Sequence, residues 1–440
     1  MKLRQFLSAL GLCLLATLAQ AGVNIQHWVA PSGVRVYFVE NHDLPMLDVQ
    51  IDFAAGTSYD PPGKPGTASL TQAVLDLGAG DMDETAVSNR LADLGALLST
   101  GVDMDRASVS LRTLSAADKR EPALDILRAV LVSPRFADDI FVREQARAVA
   151  SLKEALTRPE SIASKNFWAL MYPGHPYGIY AEPEKLAALT RADLLAFYRS
   201  HFTAARAIVS IVGDISRAQA EALVQKLSAD LPKAEALPPL PAPTLPKASE
   251  KRIAHPSAQA HLLLGLPSIP RGDPDFFPLL VGNYTLGGGG FVSRLMKEVR
   301  EKRGYAYSVY SYFMPLAQPG PFQIGLQTKK AQVGDALKVT RQVLATFLAE
   351  GPSEAELQAA KQNLVGGFPL RLDSNRKIVD NVAVIGFYGL PLDYLARYAE
   401  NVERVTAADV RAAFARHVPP ERLRTVVVGG AASAEPAPAP

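Results

Sequence analysis

The sequence predicts an α+β fold made of two homologous domains, each a mainly antiparallel sheet packed with helices. Residues 190–214 and 406–430 align without a gap, which indicates a duplication. Each stretch is typical of a helix capped by threonine, a turn and a buried strand that ends in glycine. Between the copies, residues 232–250 are rich in proline, which excludes a helix or a central strand and predicts a stiff, extended linker.

The same order of elements is predicted on both sides of the linker: strand, strand, helix, strand, helices, strand. In the first half, half-buried strands with alternating apolar and polar residues are predicted at 34–41, 46–56 and 106–114. One long helical region is predicted at 123–156. Their counterparts in the second half are 260–268, 321–329 and 336–368. The repeat predicts domains at residues 22–231 and 251–430, with helices on one face of each sheet.

Composition excludes several classes of protein. The 46 Lys and Arg residues against 44 Asp and Glu leave a formal charge of +2, so no nucleic-acid partner is expected. A single cysteine excludes a disulfide framework and a cysteine-based metal site. The matched residues His201 and His417 are expected at helix ends. There they are expected to form hydrogen bonds with nearby carbonyls and not to coordinate a metal.

The two ends of the chain are expected to lie outside the fold. Residues 1–21 combine a basic start, a short apolar run and the Ala19-Gln20-Ala21 pattern of a cleaved signal peptide. The mature protein is therefore expected to be exported, in the periplasm of a Gram-negative cell or elsewhere outside the cytoplasm, with no membrane association after cleavage. Residues 431–440 are rich in alanine and proline and predict a disordered tail.

The most distinctive segment is 286–313. The glycine run Gly287, Gly288, Gly289 and Gly290 is followed by apolar residues at helical spacing, which are Phe291, Leu295 and Val299. Gly304 is expected to end that helix, and the tyrosine-rich residues 305–313 are typical of an edge strand. No phosphate-binding loop or G-x-S-x-G nucleophile motif occurs, so this glycine run does not indicate a nucleotide site.

The sequence R-E-K-R-G-x-A-Y in this segment resembles the Arg/Tyr signature of insulinase/pitrilysin-type zinc peptidases, a family that includes the mitochondrial processing peptidase. The duplicated architecture, the linker and the HPYG sequence at 175–178 agree with it. The resemblance implies that Arg300 and Tyr307 hold the substrate carbonyl and stabilise the oxyanion. It also allows the residues Gly287–Gly290 to contact the substrate.

The family's zinc motif, H-x-x-E-H, is degenerate in this chain. The loop that precedes this motif in the family is retained here as residues 56–68. Ser69 and Ala73, however, replace the histidines, and Gln72 replaces the catalytic glutamate. Glu144 matches a second glutamate of the family, and Ser151 stands where the third ligand is expected. Zinc requires three good protein ligands, and glutamine cannot accept a proton, so this chain is expected to hold no metal and no peptidase activity of its own.

A retained Arg/Tyr pair without zinc resembles the zinc-free subunit of the family's heterodimers. The resemblance implies a non-catalytic subunit of an exported zinc metallopeptidase, which lends Arg300 and Tyr307 to a homologous partner that carries H-x-x-E-H and the zinc. Short or unfolded peptides would then be the substrates. Two alternatives stay open: a peptide-binding or scaffold protein of the same fold with no role in catalysis, and a peptidase that binds stoichiometric zinc through unorthodox ligands.

Overall fold

The computed structural model describes residues 23–233, 239–245 and 247–429. The predicted signal peptide and the predicted C-terminal tail lie outside these residues. In the predicted linker, residues 232–233, 239–245 and 247–248 form neither helix nor strand, whereas the last two residues, Ser249 and Glu250, already belong to a strand. Within the described ranges, none of the helices has the length and apolar character needed to cross a bilayer.

The first half forms a six-stranded sheet in the order β1-β2-β8-β3-β7-β6. Only β2 and β8 pair in parallel, and the other neighbours are antiparallel. A separate two-stranded hairpin, β4 and β5, lies beside it. The strands are β1 (Gln26–Val29), β2 (Arg35–Glu40), β3 (Met46–Phe53), β4 (Gly78–Ala79), β5 (Met82–Asp83), β6 (Leu97–Val102), β7 (Ala107–Leu114) and β8 (Ala207–Gly213).

The second half forms a five-stranded sheet in the order β11-β12-β10-β13-β9. Here too only one pair, β9 and β13, is parallel. The strands are β9 (Ser249–Ile253), β10 (Gln259–Ile269), β11 (Val309–Phe313), β12 (Gly320–Lys329) and β13 (Arg424–Val428).

Among the described residues, the first half has eight α-helices and the second half has six. Those of the first half are α1 (Thr67–Val74), α2 (Glu84–Leu94), α3 (Ala117–Val132), α4 (Asp138–Ala155), α5 (Pro159–Met171), α6 (Pro183–Ala187), α7 (Arg191–His201) and α8 (Arg217–Ser228). Those of the second half are α9 (Phe276–Asn283), α10 (Val333–Glu350), α11 (Glu354–Gly366), α12 (Asn375–Tyr388), α13 (Tyr398–Glu403) and α14 (Ala407–His417), with π-helical turns at Tyr284–Gly288 and Met296–Glu301.

The duplication seen in the sequence is confirmed by the strand order. Strands β2-β8-β3-β7-β6 of the first sheet follow the same order as β9-β13-β10-β12-β11 of the second. The aligned helices α7 and α14 both begin with a capping box, formed by Thr190 with Asp193 and by Thr406 with Asp409. In each box the threonine hydroxyl accepts a backbone N–H that the helix leaves unpaired.

The predicted long helical regions are each two helices. In the first half the break between α3 and α4 contains Pro134, whose ring and missing N–H end a helix. In the second half Gly351, with φ of 72°, ends α10, and Ser353 caps α11.

Each half gives one helix to the other, so the prediction of helices on one face of each sheet is incomplete. The far face of β2 and β8 carries Tyr37, Val39, Ile208 and Val212, and α12 of the second half covers it. Reciprocally, α5 of the first half covers β10 and β13. A sequence pattern shows that a strand face is apolar but does not show which helix covers it.

A buried carboxylate joins the halves between these helices. Asp105 Oδ1 accepts from the Tyr177 hydroxyl at 2.6 Å, and Oδ2 accepts from the Ala317 amide at 2.8 Å and the Tyr388 hydroxyl at 2.9 Å. Burial raises the pKa of Asp105, and these donors oppose the rise by stabilising the anion. The HPYG motif therefore has a structural role. Its Tyr177 donates to Asp105, and the His175 Nε2 lies 2.7 Å from Pro241 O in the linker.

We expect Asp105→Asn to lower the free energy of unfolding by about 2–3 kcal/mol, because an amide NH₂ would face donors that need an acceptor. Urea denaturation followed by circular dichroism measures the change. The exposed Asp43→Asn is the matched control and should leave the midpoint in place. Equal midpoints for both variants would contradict a role for Asp105 in joining the halves.

Candidate functional site

Arg300 and Tyr307 lie side by side in the structure. Arg300 lies in the last turn of the π-helical segment Met296–Glu301, and Gly304, with φ of 63°, ends that segment as predicted. The Gly304 amide donates to Arg300 O at 2.8 Å, which turns the chain back towards the start of β11. The Arg300 guanidinium carbon then lies 4.8 Å from the centroid of the Tyr307 ring.

A third residue, Phe291, completes this arrangement. The guanidinium carbon of Arg300 lies 4.7 Å from the Phe291 ring centroid, so the cation contacts two aromatic rings, a favourable cation–π geometry. Phe291 differs from Leu295 and Val299, with which it shares helical spacing: its side chain is 61% exposed, whereas the other two are fully buried. The chain turns at Ser293, between Phe291 and the helical segment, so the periodicity does not extend back to Phe291.

The Arg300 guanidinium is positioned by aromatic rings and not by a carboxylate. Three neighbouring basic residues are paired: Lys302 and Arg303 bind Glu298, and Arg294 binds Glu356. In the described residues, Lys297 has no ion pair. In the described part of the chain, Arg300 has no carboxylate within ion-pair distance, and its contacts are the two rings. With Tyr307 82% exposed beside it, the pair offers a cation and a hydroxyl to an external oxygen.

The glycine run packs against the edge of the second sheet. A Cβ on Gly287 would lie 2.4 Å from Ser311 Oγ and 2.6 Å from its backbone nitrogen, so only glycine allows this approach. Asn283 bonds the same residue twice, donating to Ser311 O at 3.0 Å and accepting from its hydroxyl at 2.6 Å. The turn thus covers the outer edge of β11, and the substrate role of Gly287–Gly290 stays a prediction.

The degenerate zinc positions lie on two helices that pack together, α1 and α4. Ser69 and Ala73 are exposed on α1, and Ser151 is exposed on α4. A methyl group cannot bind a metal, and two serine hydroxyls are poor zinc ligands. The buried Glu144 is already bound by Arg143 at 2.8 Å and Arg147 at 3.0 Å, so these residues do not fit a zinc ion.

Gln72 has a structural contact in place of a catalytic one. Its side chain is buried, and Nε2 donates to Ser108 O on β7 at 2.7 Å. A carboxylate at this position could only accept hydrogen bonds and would face a carbonyl oxygen. The amide is therefore the side chain that suits this environment, which ties α1 to the sheet.

The retained loop, residues 56–68, orders the start of α1 through Asp60. Asp60 Oδ1 accepts from the Ala68 amide and Oδ2 from the Gly66 amide, both at 2.7 Å. These contacts satisfy backbone donors at the helix N-terminus. Burial raises the pKa of Asp60 to about 6, against the opposing effect of the two amides. The motif keeps its structural function although the helix it introduces has lost the metal ligands.

The aligned histidines have different partners. His201 Nδ1 lies 3.1 Å from Phe197 O, which confirms the expected carbonyl contact, and burial lowers its pKa to about 4. His417 instead bonds Asp275 at 2.8 Å, so the expected carbonyl was wrong there. His417, Asp275 and Asp273 lie close enough to share a cation, but Arg416 binds both carboxylate oxygens of Asp275 at 2.7 and 2.9 Å.

Comparison with known proteins places this architecture in a family. The family model described as peptidase M16 inactive domain matches residues 188–364. The chain is 39% identical to the crystal structure titled peptidase M16 inactive domain from Pseudomonas fluorescens, covering 93% of this chain and 98% of that one with a TM-score of 0.89. It is 24% identical over 397 residues to the non-peptidase homolog YmxG of Helicobacter pylori, covering 89% of this chain and 90% of that protein.

A protease structure from Helicobacter pylori, 18% identical, has the same fold with a TM-score of 0.84, over 92% of this chain and 99% of that one. The chain belongs to the peptidase M16 family, and the resemblance to insulinase-type peptidases is confirmed. Within that family, the matching model and the Pseudomonas fluorescens structure are both described as the inactive domain.

We expect Gln72→Glu to destabilise the fold by about 1–3 kcal/mol, because it replaces a buried donor by an acceptor opposite Ser108 O. Thermal unfolding of both proteins measures the loss. Gln225→Glu, on an exposed position of α8, makes the same chemical change without that contact and should cost little. A Gln72→Glu protein as stable as the parent would show that the hydrogen bond does not hold α1 in place.

Proposed function

We propose that this protein is the non-catalytic subunit of an exported heterodimeric zinc metallopeptidase. The observation that carries the proposal is Arg300, fixed between Phe291 and Tyr307 with its charge unpaired in the described structure. An unpaired, ordered cation beside an exposed hydroxyl suits a developing oxyanion. The zinc positions of the same chain carry residues that do not fit a metal, so the reacting centre would lie on a partner.

In this proposal the partner is a homologous chain that carries H-x-x-E-H and binds the zinc. When bound there, the metal would activate water and polarise the peptide carbonyl. Arg300 and Tyr307 would contact the substrate carbonyl oxygen from the opposite side. A preformed donor aimed at the oxyanion contributes about 3–4 kcal/mol to transition-state stabilisation, so the loss of either residue should be large.

Export is part of the proposal and is supported by the sequence of residues 1–21. The single cysteine, Cys13, lies in that segment, so a cleaved chain would carry no thiol into an oxidising compartment. Peptides that are short or unfolded are the proposed substrates, because the site must receive an extended backbone between two subunits.

The proposal predicts activity only in a complex. Residues 22–440 should be inactive alone and should cleave a quenched peptide library when co-expressed with an H-x-x-E-H homologue encoded beside it. Arg300→Ala and Tyr307→Phe should each lower kcat/KM about 100-fold or more without preventing assembly. Arg303→Ala, which removes a neighbouring arginine paired with Glu298, is the matched control.

Parental rates from both variant complexes would leave the fold as a peptide-binding scaffold with no role in catalysis. Activity of the isolated chain with stoichiometric zinc would favour unorthodox metal ligands instead. Either result contradicts the proposed division of labour between the subunits.

Phe291 should act by positioning Arg300. In the active complex, Phe291→Leu should lower kcat about fivefold with little change in KM, because one face of the guanidinium loses a contact of about 1 kcal/mol. Phe291→Trp keeps an aromatic face and should restore the rate. The neighbouring exposed Val292→Ala serves as the control, and an equal loss in Phe291→Trp would exclude the stacking explanation.

A further inference from the structure

The far face of the second sheet is only half covered. α5 packs over β10 and β13, where the Phe167 ring lies against Gly265. On the same face, β12 and β11 lie beyond the helix and border a groove of about 430 Å³ that reaches Tyr307. Its lining includes Trp168, His261, Tyr310, Tyr312, Gln323 and Gln327.

Two tyrosines form the floor of this groove at the sheet edge. Tyr310 pairs across the strands with Gly325, and its ring covers that glycine: a Cβ there would lie 2.5 Å from the phenol oxygen. The Tyr312 ring is nearly parallel to it, at 8° with centroids 6.0 Å apart. The two parallel rings line the groove with aromatic carbons, against which a proline or an aromatic side chain can pack.

Two carboxamides flank the covered glycine. Gln323 and Gln327 lie on the same face of β12 because alternate strand residues share a face. In the residues that the structure describes, no hydrogen bond is made by either side chain, whereas each can donate and accept. Side chains of this kind suit the N–H and C=O groups of an extended peptide backbone.

The groove offers little charge. Besides the tyrosines, its titratable groups are Glu160, exposed at the rim, and His261, whose pKa is lowered by burial, so the imidazole is neutral at neutral pH. His261 Nε2 lies 3.9 Å from Glu160 Oε2. A charged ligand side chain would lose hydration here without gaining an ion pair inside the groove.

We infer that this groove binds an extended, uncharged peptide segment, with a proline or aromatic side chain on Tyr310 and Tyr312 and the backbone on Gln323 and Gln327. The inference rests on the proposed function for the identity of the segment: the groove continues from Tyr307, so it would hold substrate residues to one side of the cleaved bond. It names a substrate class that the Arg300 and Tyr307 pair by itself does not select.

Binding can be measured without the zinc partner. The chain has two tryptophans, and Trp28 lies on β1 of the first sheet, so Trp28→Phe leaves Trp168 as a fluorescent reporter in the groove. The probe is a nine-residue peptide with blocked ends, two phenylalanines separated by proline, and no charge. Calorimetry on the parent protein checks that the Trp28 substitution leaves binding unchanged.

We expect saturable binding of this probe, weakened about fivefold or more by Tyr312→Leu and by Gln327→Ala. The matched controls Tyr180→Leu and Gln225→Ala, outside the groove, should bind as the parent does. A peptide with aspartates in place of both phenylalanines should bind at least about tenfold more weakly, equivalent to about 1.4 kcal/mol.

Absence of saturable binding to millimolar peptide, or binding that the groove variants do not alter, would overturn the inference. The same holds if the aspartate peptide binds as well as the probe. This outcome is independent of the activity of the peptidase complex. Probe binding together with an inactive complex would support the groove as a peptide site and reject the catalytic role. An active complex without probe binding would support only the catalytic role.

Discussion

The reciprocal exchange of α5 and α12 is the constraint on which the rest of the structure depends. Each sheet buries one face under its own helices and part of the other under a helix from the opposite half. Neither half covers its apolar strands alone. Separating the halves would expose Ile208, Val212, Val426 and Val428, and the free energy gained by burying these side chains would be lost. Asp105, with donors from both halves, adds a directional contact at the same junction.

The exchange also decides which surfaces remain open. Because α5 lies over β10 and β13, the far face of β12 and β11 stays accessible beside Tyr307. The outer edge of β11 does not stay open, since Gly287 and Asn283 cover it. An uncovered strand edge invites pairing with another chain, and this turn blocks such pairing at Ser311.

The loss of the zinc ligands has been accommodated locally. Asp60 still caps α1, and Gln72 gives the helix a hydrogen bond to β7 that a glutamate carboxylate could not donate. Glu144 is bound by two arginines. In the first half, Asp60, Glu144 and the amide nitrogen of Gln72 therefore have structural partners. In the second half, Arg300 has no carboxylate partner among the described residues.

The roles expected for Ser69, Gln72, Ala73, Arg300 and Tyr307 came from the resemblance to the family and not from a local pattern. Local residue patterns were enough to predict the duplication and the threonine caps of α7 and α14. These depend on residue identity and short spacing, which a sequence states directly. Tertiary structure alone decided that Phe291 faces Arg300 rather than the core, that His417 binds Asp275, and that helices are exchanged between halves. Those contacts join residues distant in the chain, or depend on a single turn of the backbone, and periodicity carries no information about either.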